Sequence, residues 1–81
     1  MIKRYWYEII TPLGTFKSDA AMYTEETLER AKKYITGVCQ DVANPNLSSS
    51  HWFIINKDRV YFPDTILANS IIKIKTGVKW W

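Results

Sequence analysis

The sequence predicts an α+β domain: an antiparallel sheet of four to five strands, in the order β-β-α-β-β-β, with one α-helix packed on one face. Three observations carry this expectation. Residues 24–43 repeat their apolar side chains at helical spacing. Residues 2–18, 51–62 and 71–75 are dense in aromatic and β-branched side chains and are broken by turn residues. A length of 81 residues suits one domain, 1–81, whose core is a single layer of packing.

Residues 2–10 read as the first strand. Thr11-Pro12-Leu13-Gly14 follows, with proline pre-setting the first turn dihedral and glycine supplying a positive φ, as in a type I turn closed by a glycine bulge. Residues 15–18 return as the second strand, and pairing across that bulge sets Ile10 opposite Phe16. Thr24 is a natural N-cap, with Tyr23 and Leu28 placed as a hydrophobic staple and Glu25 and Glu26 opposing the helix dipole. Leu28, Ala31, Ile35, Val38 and Val42 form the buried stripe, while Glu26–Arg30 and Glu29–Lys33 fall at i,i+4 on the exposed side. Gly37 marks close packing or early fraying, and Asn44-Pro45 ends the helix. Residues 46–50 read as a polar loop.

Residues 51–56 and 59–62 pair through Lys57-Asp58, with Ile55 opposite Val60 and Phe53 opposite Phe62, so that all four share one face. Pro63-Asp64 breaks the strand, residues 65–69 make one helical turn, and residues 71–75 form the last strand. Gly77 ends it and leaves a tail of Val78-Lys79-Trp80-Trp81.

Four Trp, five Tyr and three Phe are more rings than so small a core takes in. With Phe53, Ile55, Val60, Phe62, Ile72 and Ile74 turned to the helix, alternation places Trp52, Ile54, Arg59, Tyr61, Ile71, Lys73 and Lys75 on the other face. The Ile10–Phe16 pairing adds Lys3, Tyr5, Tyr7 and Ile9 to that outer set; a slip of one residue substitutes Arg4, Trp6 and Glu8. The predicted contact residues are therefore Tyr5, Tyr7, Trp52, Arg59, Tyr61, Lys73 and Lys75. Three uses compete for such a face. Trp80 and Trp81 can fold back over it; it can bind a protein partner or a second copy of the chain, since Trp, Tyr and Arg dominate interface hot spots; or it can stack single-stranded nucleic acid while lysines meet phosphates.

The remaining chemistry is sparse. A net charge of +3, from 11 basic and 8 acidic residues, suits an anionic partner and excludes a strongly acidic mimic of DNA. Cys39 and His51 are the one candidate nucleophile–base pair, but Cys39 adjoins the apolar helix stripe and reads as a buried, inert thiol, and His51 reads as a loop-edge residue. One His and one Cys fall short of a zinc site, and three separated glycines make no nucleotide loop. The expectation is a protein that is not an enzyme and takes no cofactor or metal.

The first residues lack the apolar run of a signal peptide, and no stretch is apolar enough to span a membrane, which leaves a cytoplasmic location as the expectation. In size and element order the chain resembles several compact proteins of phages and mobile elements, some anti-CRISPR proteins among them. That resemblance is one of architecture and covers no diagnostic residues. It implies a stoichiometric accessory protein that binds a larger host complex, with single-stranded nucleic-acid binding as the alternative.

Overall fold

Strand β1 (Ile2–Thr11) is the spine of the molecule. A computed structural model describes residues 1–44 and 49–80. Pro45, most of the polar loop expected over residues 46–50, and Trp81 lie outside the described residues. On one side β1 pairs antiparallel with β2 (Gly14–Lys17) and then with the two-residue β3 (Ala21–Met22); on the other it pairs with β6 (Ile71–Lys79). The α+β class with antiparallel pairing and one main helix is as expected. The strands, however, divide between this four-stranded sheet and a separate two-stranded sheet of β4 (Ser50–Ile55) and β5 (Asp58–Pro63).

Helix α1 (Glu25–Val42) begins at Thr24, whose side chain accepts from the Thr27 amide while the Thr27 hydroxyl accepts from the Thr24 amide. Its buried residues are Ala31 and Val38, with Ile35 and Val42 packed against the core, which is the stripe read from the sequence. The Glu26–Arg30 pair forms at 2.6 Å; Glu29 meets Lys32 rather than Lys33. Gly37 lies inside the helix with open space where a Cβ would stand, so neither close packing nor fraying accounts for it. A short α2 (Asp64–Leu67) buries Leu67.

Both hairpin registers differ from expectation, with different consequences. Across β4–β5, Phe53 faces Val60 and His51 faces Phe62, a shift of two residues that leaves every side chain on its predicted face. The turn is Asn56-Lys57, with φ of 52° and 69°. Two successive positive φ values match the right-handed twist of a two-residue hairpin, and Asn tolerates that region better than the Lys57-Asp58 turn expected.

Across β1–β2 the shift is one residue: Ile9, not Ile10, faces Phe16. Thr11 tightens that turn by donating to the Gly14 carbonyl and accepting from the Leu13 amide, and Gly14 alone among the described glycines has a positive φ. The one-residue slip turns the face over. Ile9 is fully buried, Tyr7 packs on the core, and Arg4, Trp6 and Glu8 form the outward set.

The core is Ile9, Val38, Phe53, Phe62 and Leu67, ringed by Tyr7, Phe16, Ile35, Val42, Ile55, Val60 and Ile72. Part of the ring surplus goes inward. Edge-to-face contacts run Phe16–Phe62–Phe53–Tyr7–Tyr5–Tyr23 at centroid spacings of 5.2 to 6.2 Å. Such pairs add about 0.5–1.5 kcal/mol each beyond their burial. Gly77 does not end β6: the strand runs on to pair Lys79 with Ile2, and Trp80 stands 75% exposed rather than folded over the rings. A Cβ on Gly77 would meet the Trp6 ring at 3.1 Å, so the glycine is where the indole lies against the strand.

Candidate functional site: an aromatic face and groove

The two-stranded sheet turns one face into the core and the other outward. On the outward face Trp52 and Tyr61 are directly opposite, as are Ile54 and Arg59. Trp52 is 41% exposed and Tyr61 58%. The Arg59 guanidinium carbon sits 4.6 Å from the Trp52 ring centroid, in cation–π contact. The Tyr34 hydroxyl, from α1, donates to the Trp52 carbonyl at 2.8 Å and ties that strand to the helix.

Beside this face runs a groove of about 480 Å³ between β1, β4 and the connection from β2 to β3. Tyr5, Tyr7, Tyr34 and Trp52 supply its rings, and Ser18 and Asp19 its polar wall. Burial first, then the neighbouring Tyr5 and Tyr34, push the Tyr7 hydroxyl well above the ordinary phenol range; burial raises Tyr34 as well. Both remain neutral at physiological pH. The groove is thus an apolar trough with hydroxyls in it, shaped for an apolar or aromatic side chain.

Tyr5 and Tyr7 therefore join Trp52 after all, but from the inner side of β1 rather than from an open sheet face. Arg59 and Tyr61 share Trp52's outward face. Lys73 and Lys75 do not: they lie on β6 of the other sheet, opposite Glu8 and Trp6. Sequence reasoning missed Tyr34 and the connection at residues 18–21, because the inward turn of β1 that brings them together depends on the hairpin register.

The other two singled-out residues are placed differently from expectation. Cys39 is exposed, not buried. His51 is held between two carboxylates, with Nδ1 2.7 Å from Asp64 and Nε2 3.0 Å from Asp41. Asp64 is almost fully buried. Burial works to lower the His51 pKa, but the hydrogen bonds to Asp41 and Asp64 outweigh it and raise the pKa above its ordinary value. With both ring nitrogens facing acceptors, the imidazolium satisfies the geometry and neither nitrogen is open to serve as a base. Among the described residues no group of His, Cys, Asp and Glu is placed to hold a metal ion, and no helix is long and apolar enough to cross a membrane.

These features define a small α+β domain with an outward aromatic face beside a tyrosine-lined groove. No protein-family model, curated protein or solved structure matches the chain.

Proposed function

We propose that the chain is a non-enzymatic binding module that engages a protein partner through the outward face of the β4–β5 hairpin, with the tyrosine-lined groove taking a partner side chain. One observation supports this above the rest: Trp52 and Tyr61 stand opposite each other outside the core, and Arg59 is already stacked on the indole. Rings fixed by a sheet and by a neighbouring guanidinium lose little side-chain freedom on binding, which is what a hot spot requires. In its finer form the proposal is an accessory protein of phage or mobile-element type, acting stoichiometrically on a larger host complex in the cytoplasm.

Single-stranded nucleic acid on one aromatic and basic platform is less favoured. That reading needs the rings and lysines together, and Trp52 and Tyr61 lie on a different sheet from Lys73 and Lys75.

The test compares partner capture by wild type, Trp52→Ala and Tyr61→Ala, each with its thermal midpoint measured. Each substitution is expected to weaken binding of the captured protein by about 2 kcal/mol without lowering the midpoint appreciably. A partner held equally by all three proteins would refute the site. Tight, salt-sensitive binding of a single-stranded oligonucleotide that Trp52→Ala weakens would promote the alternative.

A further inference from the structure

The outward side of the four-stranded sheet carries a second constellation, apart from the hairpin face. Arg4 and Trp6 are two residues apart on β1, so both side chains rise from the same face. Arg4 Nε and Trp6 Nε1 are buried, and neither has a hydrogen-bond acceptor among the described residues. Both side chains line an open depression of about 230 Å³, together with Lys17, Ser18 and Ala20. Every polar side chain around it can donate. Ser18 Oγ already accepts the Tyr7 amide at 2.7 Å, which leaves its hydroxyl proton for another acceptor.

Positive charge continues along this face, with Lys75 opposite Trp6 and Lys73 opposite Glu8. Among the described residues, Lys17, Lys73 and Lys75 form no ion pair. Glu8 is the acid on this face; it pairs in register with Lys17 and does not line the depression.

We propose that this depression binds a phosphate group. The residues around it, on β1, β2 and the connection after it, carry a guanidinium, an ammonium, an indole N–H and a hydroxyl, which complement a ligand that only accepts and does so through several oxygens. Lys75, opposite Trp6 on the neighbouring strand, adds positive charge beside the site, whereas Lys73 faces Glu8. The two orphaned donors are closed to solvent, so a phosphate seated in the depression reaches them only as the surrounding side chains give way. The Trp6 indole N–H is therefore the reporter.

The experiment follows the Trp6 indole resonance in ¹⁵N-labelled protein titrated with inorganic phosphate and with a short oligothymidylate, at constant ionic strength against chloride. A saturable shift is expected, weakened about tenfold by Arg4→Gln and by Lys17→Gln, each removing one charged contact. A shift that chloride reproduces, or one that both variants leave unchanged, overturns the proposal. The two ligands identify the source of the phosphate. Oligothymidylate binding much more tightly than phosphate, and weakened by Lys75→Gln, assigns it to a nucleic-acid strand. Equal binding assigns it to a small phosphorylated molecule.

Discussion

Asp19 ties the two sheets together through three backbone contacts. Its amide donates to the Ile54 carbonyl, and its two carboxylate oxygens accept from the Asn56 and Lys57 amides, each at 2.8 Å. The turn it holds contains a lysine at φ 69°, a conformation that costs a residue with a Cβ about 1–2 kcal/mol. Asp19→Ala removes a charged acceptor from two amides and is expected to destabilise the protein by about 1–2 kcal/mol in urea unfolding. Lys57→Gly is expected to stabilise it by about 0.5–1 kcal/mol, the relieved strain exceeding the added freedom of the unfolded chain. If Lys57→Gly destabilises, the turn is not held as described. His51 gives the second prediction at this scale. A pKa raised in the folded state makes the protonated ring a stabilising group. Its contribution is complete below about pH 6.5, the ordinary imidazole value, and is lost as pH rises through the higher native pKa. Unfolding free energy should therefore fall as pH rises from about 6.5 through the higher native pKa, and His51→Gln should flatten that slope.

Among the elements, α1 was readable almost residue by residue, because capping and the three-four stripe are local signals: Thr24, Ala31 and Val38 all stand where their spacing put them. The β4–β5 faces were readable too, since a two-residue shift of register preserves parity and keeps Trp52, Arg59 and Tyr61 outward. Strand β1 was not. Its residues alternate aromatic with aromatic, so Tyr5, Tyr7 and Ile9 compete evenly with Arg4, Trp6 and Ile10 for the core, and the decision fell to a turn whose register Thr11 sets through its side chain. The groove inherited that ambiguity. The joining of the two sheets was hidden for a related reason: it rests on contacts such as Asp19 with the distant 56–57 turn, which no local pattern announces. Gly37 offers the prediction belonging to this scale. It sits in a continuous helix with nothing near its missing Cβ, so Gly37→Ala should stabilise the protein by about 1 kcal/mol in thermal or urea unfolding. Destabilisation would mean that the backbone at Gly37 is not regular helix.

Taken whole, the molecule is long for its mass, with extents of 45 × 24 × 18 Å and a radius of gyration of 13.3 Å, where a sphere-like chain of this length would have about 12 Å. Strand β6, nine residues long, pairs with β1 and with no other strand among the described residues. A long free edge is a template for another strand, and a second copy of β6 is always at hand. Pairing two copies about an axis perpendicular to the sheet matches residues of like parity. Registers near the strand centre then set Lys73 against Lys75 of the other copy, or Lys75 against its own equivalent. Like charges directly opposite oppose such pairing. Those lysines are therefore expected to oppose self-pairing through this edge. The double substitution Lys73→Thr, Lys75→Thr keeps strand-forming side chains while removing both charges. It should convert a species that does not self-associate through this edge into one whose mass rises with concentration in sedimentation equilibrium. A variant whose mass stays that of wild type across the same concentration range would show that the edge is guarded by something other than its lysines.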